Sequence, residues 1–296
     1  MPSQSLNVVS LGEILWDMFP SGPRFGGAPA NLAHHAASLG ANVAMVSGVG
    51  NDDLGDRALQ NLRESAIETK YVAVNDHYPT GQVQVSLDEK GHASYQFNQN
   101  EAWDHIHWSP ELKELAARSD AVCFGTLAQR SPESRQTIQS FVRAVPANAL
   151  RVLDLNLRPP FYDDQVIEAS LELANVLKLN DDELRLIAER FFGGDDELTQ
   201  ARGIMSRFDL KLVAVTRGAR GSLLIRENTL SEEPAQRTTV RDTVGAGDTY
   251  TAAMTVGLLK DLPLESVNRG ASRMAEFVCS QPGATPRLPE ELLRLW

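Results

Sequence analysis

NVLKLNDDELRLIAERFFGGDDELTQARGIMSRFDLKLVAVTRG, residues 175–218, opens and closes on short apolar runs, NVLKLN at 175–180 and LKLVAVTRG at 210–218. Helical patterns fill 181–192 and 196–208 between them. Short runs rich in Val and Leu, with no polar alternation, read as strands buried on both faces. Strands separated by helices imply βα units around a mainly parallel sheet.

The same alternation continues in both directions. NVVSLG at 7–12, VAMVSGVG at 43–50, AVCFGTL at 121–127 and RVLDLNL at 151–157 read as further strands, and 28–39, 52–66 and 132–144 as helices. GQVQVSLDEKGHASYQF at 81–97 breaks the rhythm. There Val83, Val85 and Leu87 alternate with Gln82, Gln84 and Ser86, Asp88–Gly91 is a turn signal, and Ala93, Tyr95 and Phe97 alternate again. A hairpin with one apolar and one wet face is expected, projecting as a small lid sheet. From 242 onward the pattern is helical, at 246–259 and 264–280. The expected fold class is α/β, a mainly parallel sheet flanked by helices with a small β lid. Ligands of such a sheet bind outside the carboxyl ends of its strands. The polar residues that end these runs, Asp154 with Asn156, Asn180, and Thr216 followed by Gly218, fall on that rim.

Composition narrows the partners. The chain has 296 residues, 42% hydrophobic and 23% charged, which suits one large globular domain. No apolar run approaches a membrane span, and the amino terminus has no basic start with a long apolar stretch, so a cytoplasmic protein is expected. The formal charge of −11 disfavours a nucleic-acid backbone as partner. Any phosphate must then be met locally, by helix N-termini, a few Lys or Arg residues, or Mg²⁺. Cys123 and Cys279, the two cysteines, lie far apart in apolar segments and read as buried bystanders, not a disulfide framework or thiolate metal site.

DTVGAGDTYTAAMTVGLLK at 242–260 carries the strongest chemical signal. A Gly-Ala-Gly turn opens an apolar helix, so the amides of Gly245, Ala246 and Gly247 can face an anion at the positive end of the helix dipole. Asp248 follows in the first turn, within reach of a hydroxyl presented to phosphorus, as phosphoryl transfer requires. Taken alone, the string also reads as an ordinary helix start with a first-turn acid. RFGGAPANLAHHAASLG at 24–40 sets Gly26 and Gly27 before a helix, where a ligand can lie against the backbone, and puts Asn31 in its first turns. His34 and His35 follow without metal spacing.

DTVGAGD matches the second signature of the PfkB, or ribokinase-like, family of carbohydrate kinases. The segment 24–40, with Gly26, Gly27, Asn31 and Gly40, resembles the first, and the two lie in the right order more than 200 residues apart. The resemblance spans essentially the whole chain. It implies one ribokinase-like domain over 1–296 with a lid formed mainly by about 13–20 and 77–105, ATP and Mg²⁺ as cofactors, and a small sugar as acceptor. Asp248 is then the catalytic base, with Gly245, Ala246 and Gly247 as its anion cradle. The acceptor falls to Asp17 of GEILWD, with Gly26, Gly27, Asn31 and Arg158; the same stretch gives no firm role to Glu13. Asn180 and Glu183 of KLNDDEL answer to the motif that orders Mg²⁺ and phosphates, Glu183 acting through water, although a helix cap with a first-turn acid explains them equally. Thr216, Gly218 and Gly221 of TRGARG line the nucleotide, with Arg217 as a further phosphate contact. Asp242, the carbonyl of Val244, and Gly283 correspond to a potassium site of relatives, but Arg287 stands where relatives often carry a small residue. DLNLRPPFY at 154–162, PTGQVQVSLDEKG at 79–91 and NEAWDHI at 100–106 look most like bacterial fructokinases and 2-keto-3-deoxygluconate kinases. Fructose is thus the expected acceptor, with ribose, a nucleoside, 2-keto-3-deoxygluconate or a silent regulatory binder as alternatives. Trp103 either closes over the sugar ring or anchors the lid, and a homodimer through exposed apolar residues of the lid is expected.

Overall fold

The computed structural model describes residues 6–296 apart from 88–92 and 237. In chain order the elements begin with β1 (Asn7–Leu11), β2 (Leu15–Phe19), β3 (Gly22–Gly26), α1 (Ala28–Ser38), β4 (Asn42–Gly50), α2 (Asp53–Glu64), β5 (Val72–Asn75), β6 (Gly81–Leu87) and β7 (Ala93–Phe97). The middle holds α3 (Pro110–Ala117), β8 (Ala121–Phe124), α4 (Pro132–Ala144), β9 (Leu150–Asp154), α5 (Asp164–Leu173), β10 (Val176–Asn180), α6 (Asp181–Phe191) and α7 (Glu197–Arg207). It ends with β11 (Leu212–Thr216), β12 (Ser222–Arg226), β13 (Thr229–Glu233), α8 (Ala246–Leu259), α9 (Leu264–Cys279) and α10 (Glu290–Leu293).

Among the described residues, nine strands form the large sheet in the order β13-β12-β11-β10-β9-β8-β1-β4-β5. The pairs from β11 through β5 are parallel, and β12 and β13 add an antiparallel edge. Successive residues of a central strand go to opposite faces. Val9, Phe124, Leu153 and Leu177 meet α3 to α7 on one side, while Val8, Cys123, Val152 and Val176 meet α1, α2, α8 and α9 on the other. This explains the unbroken apolar runs, since a polar residue on either face would be buried without a partner. Local signals fix the helix starts. Asp52, Asp163 and Asp196 cap α2, α5 and α7 by accepting amides of Gly55, Val166 and Thr199.

A second sheet, ordered β3-β2-β6-β7, grows from the carboxyl side of the large one. Its strand β3 is not among the strands expected from the sequence; pairing with β2, from Leu15↔Gly26 to Phe19↔Gly22, makes it one. The turn expected at Asp88–Gly91 lies outside the described residues. Of the alternating residues, Val83 and Val85 are buried while Gln84 and Ser86 are exposed. Val83 and Val85 of this sheet therefore turn inward, while the side chains of Leu87, Ala93 and Tyr95, on which the expected dimer contact also rests, lie outside the described residues. Trp103 is fully buried, with the Arg130 guanidinium 3.9 Å from its ring centre. It anchors this region from within and is not exposed to close over a ligand. No helix among the described residues is long and apolar enough to cross a membrane.

Candidate active site

The carboxyl ends of β1, β9, β10 and β11 bring the site together. Parallel register sets Lys178 beside Asp154 and Asn180 beside Thr216. The N-terminus of α8 points at this rim. Gly245 caps the helix with φ 80°, a left-handed conformation suited to glycine, and an added Cβ would lie 2.6 Å from Ala284. The first amides of a helix have no partner within it. That of Ala246 already makes a long contact to the Thr243 carbonyl, at 3.4 Å. Gly247 comes so near the floor that a Cβ would lie 2.9 Å from Lys178 Nζ.

Two cavities meet at this turn. One, of about 440 Å³, lies under the small sheet and is lined by Asp17, Gly27, Asn31, Arg158, Lys178 and Asp248, among others. The second, of about 500 Å³ and mostly apolar, has Thr216, Gly218, Gly221, Val240, Ala246 and Tyr250 among its walls. Thr243 and Gly247 border both, so one turn of backbone separates them.

Asp248 faces the first cavity. Asn31, 217 positions away, donates from Nδ2 to its Oδ2 at 2.8 Å. Withdrawal from water pushes the Asp248 carboxyl up to about 6, reinforced by the Asp154 charge and opposed by the Asn31 hydrogen bond, Lys178 and Arg158. Lys178 Nζ reaches Asp154 Oδ1 at 3.0 Å, and Thr251, one turn after Gly247, donates to Asp154 Oδ2 at 2.7 Å. The Asp154–Lys178 pair was not singled out in the sequence. It depends on the register of two strands, and Lys178 reads there as one polar interruption of a strand.

The glycine pair serves differently from the sequence expectation. A Cβ at Gly26 would lie 2.9 Å from Asp17 Oδ2, and one at Gly27 would lie 2.6 Å from the Glu13 carbonyl. The space is thus taken by the protein's own Asp17 and Glu13, although Gly27 still borders the cleft. Burial raises the Asp17 carboxyl to about 6 against the pull of Arg158 and Arg24. Arg158 is exposed at the rim. His34 and His35 are packing residues: His34 Nδ1 lies 3.0 Å from Ser65 Oγ, and His35 Nε2 meets the Ala284 carbonyl at 2.8 Å, burial lowering its imidazole to about 4.

At the second cavity, Gly218 and Gly221 take φ of 53° and 89° around the turn joining β11 to β12. Arg217 does not face the cavity. Its buried guanidinium pairs with Glu197 at 3.1 Å and Glu232 at 2.9 Å, so the expected phosphate contact is spent on structure. Cys279, expected to be a buried bystander, is half-buried and borders this cavity, whereas Cys123 is fully buried. Asn180 and Glu183 form a capping box for α6, and Glu183 also accepts the Leu157 amide at 2.8 Å. With both carboxylate oxygens held by amides, Glu183 fits a magnesium ion that keeps its own water, not one it ligates directly. Among the described residues no three His, Cys, Asp or Glu side chains gather as a metal cluster. Asp242 does gather the loop, accepting amides of Val244 at 3.0 Å and Gly283 at 3.3 Å, with Arg24 at 3.8 Å. That donor set holds the loop by itself and does not single out potassium.

Comparison with known proteins agrees with this geometry. A fructokinase of Salmonella typhimurium is 29% identical, over 84% of this chain and 83% of its own. An ATP-dependent 6-phosphofructokinase of Thermoanaerobacterium thermosaccharolyticum is also 29% identical, over 96% and 91%. The crystal structure of an uncharacterized sugar kinase from Pyrococcus horikoshii in complex with ATP has a TM-score of 0.83 at 25% identity, covering 97% of each chain. The model of the pfkB family of carbohydrate kinases matches residues 22–291, and with the two-cavity site this places the chain in that family as a sugar phosphotransferase.

Proposed function

We propose that the chain transfers the γ-phosphoryl group of ATP to a hydroxyl of an uncharged sugar, with fructose the leading acceptor. The observation that carries this is Asp248, held by Asn31 at 2.8 Å on the acceptor side of a one-turn partition whose other side faces the apolar cavity. ATP lies in that cavity with its phosphates toward Gly247, where small residues and helix amides admit negative charge. Glu183, through water, would help to hold a magnesium ion here, and that ion would supply shielding of the triphosphate charge. Asp248 accepts the proton of the attacking hydroxyl, Asn31 fixes the carboxylate, and the α8 amides meet the charge of the transferring group. The small sheet, through Leu15, Asp17, Val83 and Phe97, serves as a lid that excludes water.

Charge favours a neutral acceptor. Glu13, Asp17 and Asp248 border the cleft against Arg158 and Lys178, and Asp154 already engages Lys178. A sugar acid or sugar phosphate would bring more negative charge to this carboxyl-rich wall. ADP release on fructose, ribose, adenosine, 2-keto-3-deoxygluconate and fructose 6-phosphate tests the reading. The expected result is kcat/KM on fructose at least about tenfold above the others. A preference for either charged acceptor overturns the neutral-sugar reading, and ADP release on none of a wider sugar panel makes the protein a silent binder.

A further inference from the structure

Glu13 is the one carboxyl bordering the cleft that the reading above leaves without a task. β1 is an interior strand of the parallel sheet, between β8 and β4, and ends at Leu11, so the next residues are carried to the cleft floor. Glu13 is only 4% exposed, yet it borders both the 440 Å³ cleft and a smaller pocket behind the floor, and Asp248 borders the same two spaces. The smaller pocket is lined by Ala28, Pro29, Leu32 and Leu127 and also by Ser10, Thr126 and Asn156, none of which carries a positive charge. Backbone amides, its own and that of Ala28, favour its charged form, and no side-chain hydrogen bond does so among the described residues. An ionisable group kept in such a place costs free energy unless something binds it.

The Ala28 contact supplies part of an explanation. Gly27, the residue capping α1, has no side chain to offer, and the first amide of that helix, Ala28, favours a charged Glu13 carboxyl. A cap, however, uses one lone pair of a group that has about four. The remaining capacity opens on a cleft already shared with the base, at the bottom where an acceptor's ring must rest if its hydroxyl is to reach Asp248.

We propose that the Glu13 carboxyl binds a second hydroxyl of the acceptor, beside the one that Asp248 addresses, and so sets which sugar fits. This rests on the sugar-kinase reading above. Burial raises the Glu13 carboxyl to about 7, opposed by backbone amides and reinforced by Asp248, while Arg158 pulls it down. The group can therefore donate or accept near neutrality, as recognition of a hydroxyl requires.

The test is a functional-group cycle. Wild type, Glu13→Gln and Glu13→Asp are assayed by ADP release on the best acceptor of the panel and on its single-deoxy analogues, with melting temperature recorded for each. For one analogue, wild type should lose at least about tenfold in kcat/KM. Each variant should lose a comparable factor on the parent sugar and little more on that analogue, with KM for ATP unchanged. Glu13→Asp keeps the carboxyl and carries the cycle if Glu13→Gln does not fold. Additive losses on every analogue, or lowered melting with wild-type discrimination, reduce Glu13 to a cap and overturn the proposal. Absence of turnover on any sugar by wild type instead removes the sugar-kinase reading itself, and this one with it.

Discussion

In the proposed mechanism Asp248 concentrates the chemistry, and its surroundings predict how it titrates. With its carboxyl pushed up to about 6, kcat/KM should fall as pH drops through that value, because protonation removes the base. Asn31→Ala deletes a hydrogen bond that favours the charged form. The acidic limb of the pH–rate profile should then move upward by about one pH unit, with turnover reduced; an unmoved limb would mean that the contact only packs. Asp248→Asn should lower kcat by about 10² or more while nucleotide binding, measured by calorimetry, stays close to wild type. Asp248 and Asn31 were legible in the sequence as separate signals, one at a helix start and one after a glycine pair. Their direct contact was not, since a separation of 217 positions carries no local mark of it.

At the scale of elements, the glycine turn before α8 separates two roles that the sequence shows as one string. Gly245 needs its positive φ and has Ala284 against it, so Gly245→Ala should lower the melting temperature by several degrees. Gly247 lies within the helix with only Lys178 close by. Gly247→Val should keep most of the thermal stability and lose most of the turnover, because its side chain occupies the partition between the cavities. Equal melting and equal kcat in Gly247→Val would separate the turn from catalysis. Strands and helices of the large sheet were readable because burial on two faces leaves little choice of residue. β3 escaped notice because Gly22–Gly26 has the composition of a turn and becomes a strand only through its neighbour β2. For the same reason the sequence did not show what the Gly26–Gly27 pair makes room for: Asp17 against Gly26 and the Glu13 carbonyl against Gly27, which still borders the cleft.

Across the whole molecule, the small sheet is tied to the large domain through Glu101. Its Oε1 accepts the Gln82 amide at 2.6 Å, and its Oε2 lies 3.5 Å from Arg130. Burial is the main cause of raising this carboxyl from 4.5 to about 7, against the Gln82 amide and Arg130. A carboxyl raised on folding contributes stability that is full below its unfolded value and is lost as pH rises through its folded one. Between pH 4.5 and 7 Glu101 should therefore tilt the stability curve downward by on the order of 1–3 kcal/mol. Glu101→Gln keeps the acceptor for Gln82 and should flatten that slope in denaturant titrations; an unchanged slope would assign the effect elsewhere. The single turn shared by the two cavities has a consequence for waste. Before a sugar arrives, bulk solvent fills the acceptor cleft and touches the same Gly247 wall, beside the same base. Water is itself a nucleophile, so thrift with ATP cannot come from the partition and must come from the geometry that a bound sugar completes. The ratio of sugar-dependent to sugar-independent ADP release is thus a direct gauge of how much of the machinery the acceptor assembles for itself.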